Sequence, residues 1–323
     1  MSPVRFPMRM LVVAATLAQQ ECALGQAVMG RPVRVITTES GSANDLLARL
    51  IAPLLTGSLG QQVVVDNRGN ASGIVAAQIV ATAKPDGHTL LFYGSGLWLL
   101  PFMKERVPYD AVRDYAPITL AGSSPNILVV HPAVPASSVK DLITYARTRP
   151  GELNYGSGST GTTPHLAAEL FNAMAGVHTV IVPYKGGGSA LNALVGGEVQ
   201  LMFPTVGLGM PQVKSGRLRA LAVTSDKPSA LAPGMPTVAA SGLPGYESVL
   251  MSGVYAPAGT PSNVVSRLHQ EITRIISRPD IRERFLAAGL DPIGSTPEQL
   301  AASVKADMAR WGKVIRDAGI RVD

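Results

Sequence analysis

Three glycines and several hydroxyl residues between positions 156 and 163 form the segment of the chain best suited to binding a ligand. Gly156, Gly158 and Gly161 have the spacing G-x-G-x-x-G, and helical apolar spacing begins at Thr163. Glycines at this spacing let a backbone approach the phosphates of a nucleotide, whose charge the amides of the following helix then bind. The same amides and hydroxyls can bind a different anion, so other parts of the sequence must decide between these chemistries.

Both nucleotide interpretations lack a residue that they require. A dinucleotide site needs an acidic residue about 20 positions further on, at the end of the next strand, and that strand ends in the sequence VPYK at 182–185. A Walker loop needs a lysine directly after its last glycine, and Thr162 occupies that position. The sequence therefore favours neither kind of nucleotide.

Residue patterns typical of catalysis or metal binding are also missing from the sequence. No G-x-S-x-G motif surrounds Ser157 or Ser159, so neither has the turn of an esterase nucleophile. The five histidines, at positions 88, 131, 165, 178 and 269, form no H-x-x-x-H pair. The only cysteine is Cys22. We therefore predict no catalytic residue, no metal and no cofactor.

Glycine and hydroxyl residues recur where other strands end. Residues 39–45, 93–96 and 185–189 each follow a strand-like segment. Helix starts leave N–H groups unpaired at the positive end of the helix dipole, and ligands of open α/β sheets bind at the carboxyl ends of the strands. These segments predict a site that holds a carboxylate without transforming it. Each of them can equally be an ordinary helix cap with a flexible turn.

The elements that must position these loops alternate between strand and helix. Apolar patterning predicts strands at 33–37, 62–66, 89–93, 126–130, 153–155, 178–182, 199–203, 218–224 and 250–256, with a proline-rich bridge before the fourth. It predicts helices at 45–59, 74–83, 139–148, 163–175, 189–195, 261–277, 279–288 and 296–317. Strand–helix repetition indicates sheets covered by helices. The strands are too numerous for one mononucleotide-binding unit, so we expect two α/β domains.

Composition and charge exclude several classes of protein. The 323 residues are 46% hydrophobic and 15% charged, which indicates a globular chain rather than a disordered one. The net charge of +6 is spread along the chain without a run of lysine or arginine. Nucleic-acid surfaces cluster such residues, so we expect no nucleic-acid partner. We also expect the protein to be a monomer.

The first 27 residues have the pattern of a secretory signal peptide. Arg5 and Arg9 precede a short apolar run at 11–18, and small residues follow up to Ala27. The run is shorter than the roughly 20 apolar residues needed to cross a bilayer. We therefore expect cleavage near Ala27, loss of Cys22 and a soluble periplasmic protein. The alternative is that this run is a first buried element of the fold.

From about residue 31 to the C-terminus, short motifs resemble, in order, one family of receptors. They are VVVDNR at 63–68, KPDGHTL at 84–90, VPYD at 107–110, GELNYG at 151–156, GTTPHL at 161–166, VPYKG at 182–186, RALAVTS at 219–225, PTVA at 236–239 and APAGTP at 256–261. Their number and order resemble the extracytoplasmic solute receptors of tripartite tricarboxylate transporters, the Bug or TctC-type receptors.

This resemblance implies a two-domain periplasmic-binding-protein fold of the type II kind. Each domain would be a mixed, mostly parallel sheet covered by helices, and a small carboxylate-bearing solute would bind in the cleft between the domains. Membrane subunits encoded elsewhere would receive the solute. Closure about a hinge is the motion expected of such a fold.

Two departures from the family pattern fall near the expected cleft. The first loop keeps Asp45 but adds Glu39, and Pro204 and Thr205 stand where the family commonly has Asp-Asn. Trp98 and Phe102 either stack on an aromatic acid or belong to the core. We expect the ligand to contact Glu39, Ser40, Gly41, Ser42, Asn44, Asp45, Ser95, Gly158, Ser159, Thr160, Gly161, Thr162, Thr163, His165, Lys185 and Thr205. Thr162 and Thr163 should carry most of the side-chain contribution, together with the backbone amides of Gly158 and Gly161.

We expect residues 1–27 to be the signal peptide, 28–124 and 252–323 to form domain 1, and 125–251 to form domain 2. Strands near 117–130 and 250–256 should cross between the domains as a hinge. The predicted function is a periplasmic receptor, not an enzyme, that captures a di- or tricarboxylate, an amino acid or an aromatic acid for a tripartite transporter. Two alternatives remain: an exported α/β enzyme that uses Glu39, His165 or Lys185, and a ligand sensor that signals to a partner protein.

Overall fold

The computed structural model describes residues 31–38, 40, 42–68, 73–158, 161–317 and 319–322. The predicted signal peptide, residues 1–27, lies outside the described residues. Within them the chain forms two mixed β-sheets covered by helices, which confirms the predicted α/β class. Among the described helices, none is both long enough and apolar enough to cross a membrane.

The first sheet is built mainly from the N-terminal third of the chain. Its strands are β1 (Val33–Thr37), β2 (Val63–Asn67), β3 (Thr89–Gly94), β4 (Tyr115–Pro125), β10 (Val249–Pro257) and β11 (Asp291–Pro292), in the order β11-β4-β10-β3-β1-β2. Strands β1 to β4 run in one direction, while β10 and β11 run against them.

The second sheet uses the middle of the chain. Its strands are β5 (Ile127–Val130), β6 (Asn154–Ser157), β7 (Val180–Pro183), β8 (Leu201–Met202) and β9 (Arg219–Val223), in the order β7-β6-β8-β5-β9. Only β5 runs against the other four strands. Apart from β11, the two sheets therefore have the same topology, in which β1, β2, β3, β10 and β4 correspond to β6, β7, β8, β5 and β9.

Ten described helices cover these sheets. They are α1 (Ala43–Leu59), α2 (Ile74–Ala81), α3 (Gly96–Met103), α4 (Val139–Arg147), α5 (Thr163–Ala175), α6 (Gly187–Val195), α7 (Val206–Lys214), α8 (Ser262–Ile276), α9 (Pro279–Ala287) and α10 (Pro297–Asp317). Gly60 and Gly176 end α1 and α5 in the left-handed conformation, with φ of 68° and 61°. Glycine has no Cβ to oppose such a φ, which explains both helix ends.

The chain passes between the sheets at two places. Asn126 alone separates β4 from β5, and β10 brings the chain back to the first sheet at Val249. Strand β10 pairs antiparallel with both β3 and β4, so it lies inside the first sheet. The domain boundaries at 124/125 and 251/252 stay a prediction, as does the hinge.

Three elements differ from the sequence-based expectation. Helix α3 lies in the proline-rich bridge, helix α7 follows β8, and the short strand β11 precedes α10, all where the apolar patterning predicts no element. Strand β4, by contrast, overlaps the crossing strand predicted near 117–130. Proline lies inside both helices, at Pro101 and Pro211. Interior proline removes a backbone hydrogen bond and normally breaks a helix. Burial of most of α3 against the core, including fully buried Leu97 and Trp98, offsets that cost.

Trp98 joins α3 to the C-terminal helix through a buried carboxylate. Its indole Nε1 donates to Asp307 Oδ2 at 2.7 Å, and Asp307 is only 3% exposed. Arg310, on the same helix as Asp307, lies 3.4 Å from its other oxygen and also pairs with Glu247. Burial raises the pKa of Asp307 above its ordinary value of 3.8, although the Trp98 hydrogen bond and the Arg310 charge oppose this rise. Trp98 is therefore a core residue and does not stack on a ligand.

This raised pKa predicts how the stability of the protein changes with pH. Between the ordinary and the raised pKa the folded state binds more protons than the unfolded state, so the free energy of unfolding falls as pH rises through that window. Asp307→Asn should remove this dependence on pH. The free energy involved is about 1.4 kcal/mol for each unit by which folding raises the pKa of Asp307. Urea denaturation between about pH 4 and pH 7 measures it. Asp317→Asn, at an exposed carboxylate on the same helix, is the control, and parallel curves for wild type and Asp307→Asn would contradict the prediction.

Candidate functional site

A cavity of about 460 Å³ lies where four strand ends meet four helix starts. Ligand pockets for small molecules commonly have volumes of about 300–1,000 Å³. The residues that line it come from both sheets. They are Thr38, Ser42, Ala43, Asn44, Tyr93, Gly94, Ser95, Gly96, Leu99, Leu100, Gly161, Thr162, Thr163, Pro164, Leu166, Thr205, Leu250 and Val322.

The N-cap residues of four helices border this cavity. Ser42 precedes α1, Ser95 precedes α3, Thr162 precedes α5 and Thr205 precedes α7. These helices follow β1, β3, β6 and β8, which are corresponding strands in the two sheets. The shared topology therefore brings two helix starts from each sheet to one place.

Each helix start presents backbone N–H groups and the positive end of a helix dipole. The hydroxyls of Ser95 and Thr205 make no cap bond to their own helices, whereas Ser42 Oγ accepts the Asp45 amide at 3.2 Å. No charged side chain lies among the described residues that line the cavity. Amides, hydroxyls and dipoles thus set the electrostatics of these walls, and they favour a negatively charged ligand.

Two buried polar atoms in the cavity wall lack a partner within the described protein. Asn44 Oδ1 accepts no hydrogen bond, and Ser95 Oγ neither accepts nor donates one, although the two residues are only 8% and 7% exposed. A buried polar atom without a partner costs about 1–3 kcal/mol. A ligand or an ordered water in the cavity would satisfy these atoms.

Apolar side chains form another part of the wall. Leu99 and Leu100 come from α3, Leu166 from α5, and Leu250 from β10. A ligand with a carbon skeleton between polar groups would bury that skeleton here. Burial contributes about 25 cal/mol for each Å² of apolar surface removed from water.

Gly94 is fixed in this wall by its close neighbours. A Cβ at this position would lie 2.6 Å from the backbone oxygen of Met251 and 3.5 Å from Asn44 Oδ1. The first distance is too short for any side chain, so the contact between β3 and β10 requires glycine. The sequence indicates that residues 93–96 form a polar or flexible turn. The packing role of Gly94 was not visible there, because it depends on the pairing of β3 with the distant strand β10.

Of the predicted ligand contacts, the structure brings seven to the cavity: Ser42, Asn44, Ser95, Gly161, Thr162, Thr163 and Thr205. Glu39, Gly41, Ser159 and Thr160 lie outside the described residues. The remaining five, Ser40, Gly158, Lys185, Asp45 and His165, do not line the cavity. Ser40 and Lys185 are exposed. At Gly158 a Cβ would come within 2.5 Å of the Gly187 amide, because this glycine packs against the start of α6.

Asp45 faces away from the cavity for a local reason. Its Oδ1 accepts from Arg49 Nε at 2.9 Å and from Asn67 Nδ2 at 2.8 Å, and its side chain is 4% exposed. The ion pair spans one helical turn, where side chains four residues apart meet. Asp45 thus holds the start of α1 against β2 instead of contacting a ligand.

His165 and the Gly161 amide bind each other. His165 Nδ1 accepts the Gly161 N–H at 2.9 Å, so this amide does not point to a ligand as predicted. The imidazole is 5% exposed, and burial lowers its pKa to about 4. His165 is therefore not placed as a base for chemistry in the cavity. In the part of the chain that the structure covers, no group of histidine, cysteine or acidic side chains is arranged to hold a metal.

Several cavity residues carried no local signal in the sequence. Leu250 reaches the cavity through the pairing of β10 with β3 and β4. Val322 arrives from the C-terminus, where its amide donates to the Met103 carbonyl at 3.1 Å. Thr38 and Tyr93, by contrast, sit at the ends of predicted strands, where the rule for α/β sheets could have indicated them.

The family model described as "Tripartite tricarboxylate transporter family receptor" matches residues 47–320. A UPF0065 protein from the tcbD-tcbE intergenic region of Pseudomonas sp. is 39% identical over 307 residues, which are 94% of this chain and 91% of that protein. Protein BugT of Bordetella pertussis is 33% identical over 299 residues and 90% of each chain.

Several solved structures are similar to this chain over nearly their full length. A protein of R. palustris, solved with adipate, is 37% identical with a TM-score of 0.78, covering 90% of this chain and 98% of its own. The periplasmic binding protein BugD is 30% identical with a TM-score of 0.75, covering 90% and 98%. MatC from Rhodopseudomonas palustris, with bound malate, is 29% identical with a TM-score of 0.73, covering 88% and 99%.

The matched family model spans most of the described chain, and the two-sheet fold agrees with that of these structures. The resemblance found in the sequence is thereby confirmed. This chain belongs to the receptors of the tripartite tricarboxylate transporter family, the Bug and TctC-type periplasmic solute-binding proteins.

Proposed function

We propose that this protein binds a small carboxylate in the cavity and delivers it to the membrane subunits of a tripartite tricarboxylate-type transporter. One observation carries the proposal: the N-caps of four helices border a single cavity. Converging helix starts stabilise negative charge and disfavour positive charge. The transporter partnership rests on the family to which the chain belongs.

The donors for the carboxylate are backbone amides and hydroxyls. Thr162 and Thr163 begin α5, and Thr205 begins α7 on the same side of the cavity. Ser95 lies at the start of α3 and belongs to the first sheet, so polar donors come from both sheets. A ligand with two separated polar groups would use both sets.

We propose that the ligand is a dicarboxylate of about the size of malate or adipate. The R. palustris protein solved with adipate and MatC with bound malate are both relatives of this chain. In this chain the leucines of the cavity wall offer an apolar surface for the carbon skeleton. The volume of about 460 Å³ is sufficient for a diacid of this size.

Adding adipate or malate to the purified protein should raise its melting temperature. At a ligand concentration of 100 times Kd, binding to the folded state adds about 2.7 kcal/mol to the free energy of unfolding. Adipamide, which has the same skeleton without negative charge, is the control and should give no shift. Mass spectrometry after incubation should recover the diacid unchanged, because no base is placed in the described cavity wall. Conversion of the diacid would instead support the alternative of an exported enzyme, and equal shifts from adipamide would contradict a carboxylate site.

Thr162→Val should weaken ligand binding while it leaves folding nearly unchanged. The substitution keeps the shape of the side chain but removes its hydroxyl from the cavity wall. A hydrogen bond to a charged group contributes about 1.5–3 kcal/mol, which corresponds to about a ten- to hundredfold increase in Kd. Calorimetric titration with a diacid that binds the wild type measures the effect.

Thr296→Val provides a matched control at a helix start away from the cavity. Thr296 Oγ1 accepts the Gln299 amide at 3.2 Å at the beginning of α10. Loss of such a cap costs about 1 kcal/mol of stability, with affinity unchanged. If Thr162→Val behaved like Thr296→Val, the threonine would be a cap and the carboxylate site would be misplaced.

We further propose that the two lobes, residues 28–124 with 252–323 and residues 125–251, close on the ligand. Support comes from the cavity wall, which contains residues of both sheets, and from the two crossings at Asn126 and Val249. Rotation at two such crossings changes few contacts within each sheet, as in other hinged receptors. Closure would bring the starts of α1 and α3 towards those of α5 and α7.

X-ray scattering should therefore show a smaller radius of gyration when the protein is saturated with a diacid. The curve without ligand and the curve with adipamide should be the same. Identical curves at full saturation with a diacid shown by calorimetry to bind would contradict the hinge.

A further inference from the structure

His165 lies directly behind the loop that forms one wall of the cavity. It occupies the first turn of α5, and its side chain turns back so that Nδ1 accepts the Gly161 N–H at 2.9 Å. Gly161, Thr162 and Thr163 all line the cavity, whereas the imidazole is buried and does not. The contact resembles a capping box, in which a side chain in the first turn binds an amide before the helix.

The other atoms of the imidazole are held as well. Because Nδ1 accepts a hydrogen bond, the neutral ring carries its proton on Nε2. Nε2 lies 3.9 Å from Glu169 Oε1, one turn further along α5. Tyr155 of β6 donates its hydroxyl to the same Glu169 oxygen, and its ring stacks on the imidazole at 6.2 Å between centroids and 20° between planes. His165 is thus fixed between a strand and a helix of the second sheet.

Gly161 needs such support because its backbone is unusual. Its φ is +79°, a left-handed conformation that glycine adopts readily. Glycine can also adopt many other backbone conformations, so a further contact is needed to select this one. A Cβ here would lie 3.0 Å from Met103 Sδ, so the loop also packs closely against α3. The bond to His165 fixes the direction of the Gly161 N–H and, through it, the positions of Thr162 and Thr163.

We propose that His165 is a positioning residue of the binding site, which sets the shape of the 161–163 segment by holding the Gly161 amide without touching the ligand. This inference rests on the proposed carboxylate site. Burial lowers the pKa of His165 to about 4, so near neutral pH the ring is uncharged and Nδ1 is free to accept. The sequence motif GTTPHL at 161–166 thereby contains both the cavity wall and the residue that holds it.

Two substitutions separate the Nδ1 contact from the rest of the side chain. In His165→Asn the amide oxygen takes the position of Nδ1, three bonds from Cα, so it can still accept the Gly161 N–H. In His165→Leu a side chain of similar branching carries no acceptor, so the Gly161 N–H loses its partner. We expect His165→Leu to raise the Kd for adipate by about tenfold, the effect of one lost hydrogen bond in the site wall. His165→Asn should restore the Kd to within about threefold of the wild-type value.

A second measurement does not depend on any ligand. Selective ¹⁵N-glycine labelling reports the Gly161 amide, whose proton resonance should move in His165→Leu and stay close to its wild-type position in His165→Asn. The same contrast in amide resonance and in Kd supports the positioning role. Equal loss of affinity in both variants, or a Gly161 amide that moves in neither, would overturn it. If wild type itself bound no diacid, the proposed function would fail, and the amide resonance alone would decide the role of His165.

Discussion

The amino ends of four helices, which border one cavity, are the constraint on which the site depends. In a parallel strand–helix unit the carboxyl end of the strand and the amino end of the helix lie at the same edge of the sheet. Here corresponding strands of two sheets, β1 with β6 and β3 with β8, direct their helices to one cavity. The first amides of a helix have no carbonyl partner within that helix. In the proposed function an anion in the cavity binds amides from both sheets, which would make binding and closure one process.

The lack of charged side chains in the described cavity wall has a consequence for a receptor. A buried arginine or lysine would have to lose its own hydration before binding an anion, at a cost of several kcal/mol. Amides and hydroxyls are already oriented by the helices, so less reorganisation is needed when the anion enters. For the proposed role in delivery, such partial charges would hold a carboxylate less tightly than a buried ion pair would, and so allow its release. Asn44 Oδ1 and Ser95 Oγ, which lack a partner in the described protein, are the atoms of the wall that a polar group of the ligand would satisfy.

Much of this architecture could be predicted from the sequence because its signals are local. Helix α5 begins and ends where Thr162, Pro164 and Gly176 indicate, and the polar strand ends at 42–44, 95 and 161–163 all reach the cavity. Residues brought in by long-range pairing, such as Leu250 and Val322, have no such signal. The sequence analysis predicts that Asp45 contacts the ligand because Asp45 matches the acidic residue that ends the first loop in the family pattern. Arg49, four positions later, uses that carboxylate, and this local pairing was readable from the spacing.

The C-terminal helix also joins two elements of the cavity wall on the side of the first sheet, α3 and β10. Ser95 and Gly96 open α3 at the cavity, and one turn later Trp98 donates to Asp307 of α10. Arg310 of the same helix pairs with Glu247, which lies two residues before β10, the strand of the cavity residue Leu250. Burial raises the pKa of Asp307, and its hydrogen-bond donors and the Arg310 charge offset this rise only in part. Burying the ionised carboxylate therefore has a cost in stability. A protein can retain a buried charged group at such a cost when the group specifies one arrangement of its elements. Here Asp307 and Arg310 hold the start of α3 in position relative to β10, the strand by which the chain returns to the first sheet.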